Sequence, residues 1–138
     1  MSGLPGTGKD TWIQKNLSGL PMVSMDEIRK ELHISPSDNQ GMVVQTAQER
    51  AREFLRRKQS FIWNSTNLTR DARQKLISMF ERYHARVRIV YLETGWDQRV
   101  QRNRSRKDAV PESAIDSMLS KISPPLPDEA QAVTWQCT

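Results

Sequence analysis

The sequence predicts an α/β domain with a parallel sheet. Short apolar runs alternate with amphipathic stretches along the chain, a pattern typical of strands that are connected by helices. A length of 138 residues corresponds to about one domain and is sufficient for a buried core. A glycine-rich segment that ends in a lysine, GLPGTGK at residues 3–9, precedes the first amphipathic stretch. We therefore expect a single domain over residues 1–138, without a linker to a second one.

Four apolar runs predict the strands. Residues 20–24 and 61–63 form short runs, residues 87–92 are rich in β-branched side chains, and residues 132–135 suit a last strand. Because amphipathic stretches separate these runs, the strands are expected to pair in parallel.

Apolar side chains at helical spacing predict the helices. Helices are expected over residues 9–17 and 26–32, and a very basic one over residues 97–107, while Pro111 suits the first turn of a last helix. The remaining helices are marked by their apolar faces. These faces are Val43, Ala47, Ala51, Phe54 and Leu55 in one helix, Ala72, Leu76, Met79, Phe80 and Tyr83 in the next, and Ile115, Met118, Leu119 and Ile122 after Pro111.

Composition argues against several classes of protein. Charged residues make up 27% and hydrophobic residues 36%, so the chain is polar but has the make-up of an ordered domain. The one cysteine permits no intrachain disulfide, and no apolar run is long enough to span a membrane or to act as a signal peptide. We expect a cytoplasmic protein without a membrane partner. The net charge of +5 suits an anionic partner such as a nucleotide or nucleic acid, although charge alone carries little weight.

The glycine-rich segment has the G-x-x-x-x-G-K spacing of a phosphate-binding loop. Glycines let backbone N–H groups turn inward around a β-phosphate, and the helix that follows directs its positive end at the same anion. The lysine then reaches the β- and γ-phosphate oxygens. This predicts a P-loop NTPase fold, against the alternative of a glycine-rich turn with a chance lysine. The expected ATP-binding residues are Gly3, Leu4, Pro5, Gly6, Thr7, Gly8, Lys9, Asp10 and Thr11.

Asp10 stands where the usual motif has a serine or threonine whose hydroxyl binds Mg²⁺. A carboxylate also binds Mg²⁺, but it adds a negative charge close to the triphosphate. Two outcomes are open: Asp10 reaches the metal, directly or through water, or it turns away and water takes its place. Thr11 remains available for the α-phosphate.

A second candidate group follows the run at residues 20–24. Asp26 lies just past this strand, at the edge where ligands bind in open parallel sheets, and it could accept a proton from an acceptor hydroxyl. Arg29, one turn later on the same helix face, could hold a phosphate of the acceptor. The alternative is an N-cap aspartate followed by a solvated arginine.

With these residues the sequence resembles the P-loop polynucleotide kinases, in particular the 5′-hydroxyl kinase of phage end repair and the kinase domains of bacterial end-healing enzymes. Four segments carry the resemblance: the phosphate loop with its trailing Thr-Trp at residues 3–12, D-x-x-R at 26–29, NSTNL at 64–68 and the arginine-rich stretch at 100–111. The resemblance implies an adenylate-kinase-like, three-layer fold, in which helices flank a parallel sheet and an arginine-rich lid covers about residues 97–110.

The resemblance also implies roles for individual residues. Lys9, Asp26 and Arg106 would be catalytic, with Asp26 as general base and Arg106 on the donor phosphates, where Arg102 is a weaker candidate. The acceptor would be held by Arg29, Thr66 and Asn67. It further implies ATP and Mg²⁺ as cofactors, a 5′-hydroxyl nucleic acid end as partner, and fused or partner repair domains in the full-length protein.

Three functions stay open on the sequence. The first is the polynucleotide kinase, with DNA or RNA as acceptor; the second is a kinase of a small molecule or nucleotide, since small-molecule and zeta-type toxin kinases share the loop and the aspartate. The third is a non-kinase module that binds or hydrolyses ATP. Asn64, which replaces a common aspartate, departs from the polynucleotide kinase pattern as Asp10 does.

Two basic runs have an ordinary explanation as solvated helix faces. The five cations from Arg99 to Lys107 cannot all face one phosphate, and the run at residues 50–58 has Glu49 before it and Glu53 within it. The four tryptophans could stack on bases: Trp12, Trp63, Trp96 and Trp135. Because Trp63 lies in an apolar strand and Trp12 on the helix after the loop, core packing is the favoured interpretation.

The strand that precedes a phosphate loop is central in P-loop folds, and Met1 and Ser2 leave almost nothing to form it. We expect the first central strand to be missing, the chain to be truncated at its N-terminus, and the 138 residues alone to be poorly stable. Adding about five to eight upstream residues should raise Tm.

Overall fold

The computed structural model describes all 138 residues, in which helices and strands alternate. The helices are α1 (Lys9–Asn16), α2 (Met25–Leu32), α3 (Gly41–Arg56), α4 (Arg70–Glu81), α5 (Trp96–Arg104) and α6 (Glu112–Leu119). The strands are β1 (Met22–Ser24), β2 (Ile62–Asn64), β3 (Arg88–Glu93) and β4 (Ala132–Cys137). The chain forms two compact units, one of residues 19–65 and one of residues 1–18 with 66–138.

The four predicted strands are all present, and both strand pairs are parallel as expected. β1 pairs with β2 and β3 pairs with β4, so that the strands form two two-stranded sheets. β1 begins later than the predicted residue 20 because Gly19 takes a positive φ of 97° and Leu20 is exposed. The basic helix predicted over residues 97–107 ends at Arg104, where the chain turns back toward α6.

In the unit of residues 19–65, α3 packs on α2 and on β1. Val43, Ala47 and Ala51 are fully buried at a spacing of four residues, which confirms the predicted apolar face. Phe54, one turn further on, stacks on Phe61 with ring centroids 5.4 Å apart. Trp63 is buried in β2, so that core packing, and not base stacking, describes it.

In the unit of residues 1–18 and 66–138, the core lies on β3, whose residues Ile89, Val90, Tyr91 and Leu92 are buried. The apolar face of α6 packs as predicted, with Ile115 against Leu4 and Leu68. No helix is both long and apolar enough to cross a membrane.

Met79 and Phe80 of α4 are buried as predicted, but the rest of its buried face differs from the predicted one. Ala72 is exposed, while Arg73 is 3% exposed and lies in the interior. A hydrophobic pattern cannot anticipate this arrangement, because it depends on a partner distant in sequence: Arg73 forms a two-bond ion pair with Glu129, at 2.8 and 2.9 Å.

Ser2 pairs with β3 through its backbone. Its N–H donates to Val90 O and its carbonyl accepts from Leu92 N–H, both at 2.9 Å, which makes a single parallel bridge with Tyr91. The Ser2 hydroxyl also donates to Asn67 O at 2.9 Å. These bonds fix the start of the glycine-rich segment against the C-terminal half of β3.

Candidate nucleotide-binding site

Residues 3–9 form a tight loop that starts next to Ser2, which is bridged to β3, and ends at the first residue of α1. Gly6 and Gly8 have φ values of 86° and 85°, a region that side chains with a Cβ rarely adopt. A Cβ on Gly6 would also lie 2.7 Å from the backbone oxygen of Arg99 in α5. Both the backbone conformation and the close approach of α5 therefore require glycine in this loop.

Side chains of the loop point back at its own backbone. The Lys9 ammonium donates to Gly3 O at 2.8 Å and to Leu4 O at 2.9 Å, and the buried Thr7 hydroxyl donates to Leu4 O at 2.9 Å. Leu4 anchors the loop in the core, and Pro5 beside it is buried. The lysine thus lies at the loop's mouth, where phosphate oxygens would offer it stronger, charge-assisted bonds.

Helix α1 begins at Lys9, with Gly8 at the N-cap and no capping side chain. The amide groups of its first turn have no partner within the helix, and the helix dipole makes this end positive. A loop that needs glycine, a lysine at its mouth and this helix end fit the phosphates of a nucleotide.

The predicted metal ligand Asp10 lies exposed in the first turn of α1, as does Thr11. The chain contains no group of three or more His, Cys, Asp or Glu residues that could hold a metal ion. Mg²⁺ in such a site would be held largely by phosphate oxygens and water. The role of Asp10 as a ligand stays a prediction.

The basic run at the end of α5 is not one solvated face. Arg99 is 2% exposed; its Nη2 donates to Glu112 Oε2 at 3.0 Å, and its guanidinium lies 4.3 Å from the centre of the Trp96 ring. This hydrogen bond holds the pKa of the Glu112 carboxyl below its usual range. The Nε and Nη1 of Arg99 are buried without a hydrogen bond, so the aromatic ring stabilises a charge that is only partly paired.

Asn103 closes the segment that follows α5. Its side chain is 1% exposed, donates to Val110 O at 2.7 Å and accepts from Val110 N–H at 3.1 Å. These two bonds tie the end of α5 to the residue before Pro111. Asn103 therefore fixes the course of the lid segment.

Arg102, in the last turn of α5, is the arginine of the predicted lid that lies at the phosphate loop. Its Nη1 lies 3.4 Å from the position of a Cβ on Gly8 and donates to the Thr138 hydroxyl at 3.1 Å. Thr138 in turn donates to Thr7 O at 2.8 Å. Arg106 lies in the turn after α5 and is partly buried, and its contact with a phosphate stays a prediction.

The predicted acceptor residues Thr66 and Asn67 contact the start of the loop through their backbones. Thr66 O accepts from Gly3 N–H at 2.9 Å, and Asn67 O accepts from the Ser2 hydroxyl. The Asn67 amide donates to Met1 O at 2.8 Å. These contacts support the loop, and a role for either residue toward an acceptor stays a prediction.

The Asp26 and Arg29 pair lies in the unit of residues 19–65. Asp26 is the second residue of α2 and its side chain is 65% exposed; the N-cap is Ser24, whose hydroxyl accepts from Glu27 N–H. Arg29 Nη1 donates to Asp26 Oδ1 at 2.6 Å and Nε donates to Gln40 Oε1 at 2.7 Å. Arg29 thus forms hydrogen bonds through both Nε and Nη1 and is not merely solvated. Asn64, in the same unit, is buried at the end of β2.

Several residues, at the loop in one unit and at the Asp26 and Arg29 pair in the other, have no signal in the sequence. Gln40 and Thr138 act through partners distant in sequence, and the burial of Arg99 is hidden among neighbouring arginines. Asn103 is a polar residue in a polar helix, so nothing in the sequence marks it as buried. Its burial would be expected only if α5 were known to pack on the loop.

The loop, its lysine and the parallel strands define a P-loop NTPase fold. The chain belongs to the AAA domain family, since the family profile AAA_33 matches residues 1–125.

Solved structures show the same fold. A candidate kinase from Chloroflexus aurantiacus superposes with a TM-score of 0.74 at 21% identity, over 99% of this chain and 85% of that one. A sugar kinase from a Janibacter species matches with a TM-score of 0.67 at 18% identity, over 99% and 82%. Kti12 from Chaetomium thermophilum, in complex with ADP-AlF3, matches with a TM-score of 0.67 at 14% identity, over 99% and 86%. All three are therefore similar to this chain across nearly its whole length.

Proposed function

We propose that this chain is an ATP-dependent phosphotransferase that moves the γ-phosphate of ATP to a hydroxyl group. The observation that carries the proposal is the loop of residues 3–9, where positive φ angles, the Lys9 ammonium and the start of α1 combine in one phosphate cradle. The likeness of the fold to a candidate kinase, at a TM-score of 0.74, supports the same reaction class.

The residues divide the work in the following way. Backbone amides of the loop and Lys9 bind the β- and γ-phosphates of ATP, and Arg102 or Arg106 neutralises charge on the transferring group. Asp26 takes the proton of the acceptor hydroxyl, whose oxygen forms the new bond to the γ-phosphorus while the bond to the β-phosphate oxygen breaks and ADP leaves. Mg²⁺, when bound, would neutralise negative charge on the β- and γ-phosphates.

For the acceptor, we propose the 5′-hydroxyl of a polynucleotide. The support is the resemblance of the four segments and the net charge of +5. Arg29 suits an acceptor phosphate, because only its Nε and Nη1 are engaged and the planar guanidinium has further donors.

A second candidate is a small polyol. The likeness to a sugar kinase at a TM-score of 0.67 favours it. The lid motif does not decide between the two acceptors, because Asn103 and Val110 are joined in a structural clamp that either enzyme could use.

The test is transfer from γ-labelled ATP to a 5′-hydroxyl oligonucleotide, compared with a panel of sugars and other polyols. Label on the oligonucleotide supports the first acceptor, and label on a polyol the second. Hydrolysis of ATP that is independent of every acceptor would instead indicate an ATPase module.

Variants identify the residues responsible. Asp26→Asn should abolish transfer and retain ATP binding, whereas loss of ATP binding as well would make Asp26 structural. Arg106→Ala and Arg102→Ala should separate the two lid arginines, since a catalytic arginine is worth ~10³–10⁵ in rate in related phosphotransferases. Near-normal turnover in either variant removes that arginine from the mechanism.

A further inference from the structure

Gln40 joins three parts of the unit of residues 19–65. Its Oε1 accepts from Arg29 Nε at 2.7 Å, and its Nε2 donates to Ser35 O at 2.8 Å and to Asp38 O at 2.7 Å. Gln40 is also the N-cap position of α3, but its side chain makes no capping bond. The side chain is therefore devoted to these three contacts.

The chemistry of the partners fixes the orientation of the amide. A guanidinium group only donates hydrogen bonds and backbone carbonyls only accept them, so a flipped amide would oppose like groups on both sides. The Gln40 oxygen must face Arg29, and its nitrogen must face the loop of residues 33–40. Arg29 is held in turn with Nη1 toward Asp26.

We propose that Gln40 is a positioning residue for the acceptor: it holds Arg29 beside Asp26 and ties that pair to the loop of residues 33–40. This inference rests on the proposed function, in which Arg29 binds an acceptor phosphate. A guanidinium held from both sides loses little conformational freedom when it binds a phosphate, so that acceptor recognition depends on Gln40 without direct contact.

Three variants of the whole chain test the proposal. Gln40→Met keeps the length of the side chain and removes all three bonds, and Gln40→Glu keeps an acceptor toward Arg29. Gln45→Met is the matched control, because Gln45 lies on α3 and its side chain bonds only Glu49, at 3.3 Å.

With an acceptor that carries a phosphate, such as a nucleoside 3′-phosphate, Gln40→Met should raise the acceptor KM about tenfold, which corresponds to the loss of one hydrogen bond to a charged group.

The pattern of constants separates positioning from general damage. The KM for ATP should be unchanged in Gln40→Met, and the KM for an acceptor without a phosphate should change little. Gln40→Glu should recover only part of the loss, because it keeps an acceptor toward Arg29 but turns its second oxygen toward the carbonyls of Ser35 and Asp38. An equal rise in both KM values, no recovery in Gln40→Glu, or the same defect in Gln45→Met would overturn the proposal.

A second measurement does not depend on catalysis. The Nε–H proton of Arg29, observed by ¹⁵N NMR, should exchange slowly with water in the wild-type chain and faster in Gln40→Met, but not in Gln45→Met. Unchanged exchange in Gln40→Met contradicts the proposed contact. If no acceptor takes up phosphate while the exchange behaves as expected, the proposed function fails and the positioning of Arg29 by Gln40 stands.

Discussion

Breaking the buried ion pair between Arg73 and Glu129 should strongly destabilise the unit that carries the phosphate loop. Both side chains are buried, at 3% and 0% exposure, and they share two hydrogen bonds. Arg73 Nη1 also donates to Asn67 O at 3.1 Å, and Glu129 Oε1 accepts from Leu126 N–H at 3.1 Å. The pair thus connects α4, the segment before β4 and the residue next to Thr66.

Glu129→Gln removes the negative charge and leaves the Arg73 charge buried without its counter-ion. Breaking a buried pair in this way costs ~3–5 kcal/mol of unfolding free energy. The double variant Arg73→Met with Glu129→Leu removes both charges, and it loses in addition the hydrogen bonds to Asn67 and Leu126, at ~1 kcal/mol each. We therefore expect the double variant to be more stable than Glu129→Gln by ~1–3 kcal/mol.

Equilibrium unfolding in urea, followed by circular dichroism, measures both differences, provided that the m-values agree. A loss below ~1 kcal/mol in Glu129→Gln would place this pair among weak surface ion pairs and refute the reasoning. So would a double variant that is less stable than the single one.

The same pair gives a pH dependence with a definite sign. Hydrogen bonds from Arg73 lower the pKa of Glu129 in the folded chain. Its stabilising contribution is therefore complete above the unfolded pKa of ~4.3 and is lost as the pH falls through the lower folded value. Between about pH 5 and pH 3, the wild-type chain should lose more unfolding free energy than Glu129→Gln does. Parallel curves for the two proteins would contradict this assignment.

Two further predictions concern the phosphate loop. Gly6→Ala should weaken ATP binding at least tenfold in calorimetry, because a left-handed φ costs ~1–2 kcal/mol with a Cβ and because that Cβ would lie 2.7 Å from Arg99 O. Gly19→Ala is the control for backbone strain alone, since Gly19 has a φ of 97° and a Cβ there would meet no atom within 4 Å. Equal ATP affinities in the two variants would show that α5 does not confine the loop. Thr138→Val should raise the Kd for ADP about fivefold, because it loses the hydrogen bonds to Thr7 O and Arg102. Thr138→Ser keeps the hydroxyl and should bind ADP like the wild type. An unchanged Kd in Thr138→Val would show that these hydrogen bonds do not contribute to nucleotide binding.

Local signals account for what could be predicted from the sequence. The phosphate loop is contiguous, so its glycines and Lys9 are recognisable from spacing alone. The strands and the α3 face follow from hydrophobic periodicity, and Arg29 lies beside Asp26 because residues three apart share a helix face.

The rest depends on contacts between distant residues. Arg73 is buried because Glu129, 56 positions further on, neutralises it, and Arg102 lies at the loop because Thr138 accepts its hydrogen bond across 36 positions. No periodicity marks such pairs. A charged side chain in a helix therefore looks solvated until its partner is placed in the structure.

The lid motif shows how this affects a functional assignment. Asn103 and Val110 are two of the residues that suggested a polynucleotide kinase, yet their side-chain and backbone groups bond each other and hold the lid segment in shape. Such residues follow the fold, whatever the acceptor. A residue that recognises an acceptor phosphate needs hydrogen-bond donors to offer, and Arg29 has them, because Asp26 and Gln40 engage only its Nη1 and Nε. Under the proposed function, the surroundings of Arg29 would separate a polynucleotide from a polyol, and the nucleoside 3′-phosphate assay tests this directly.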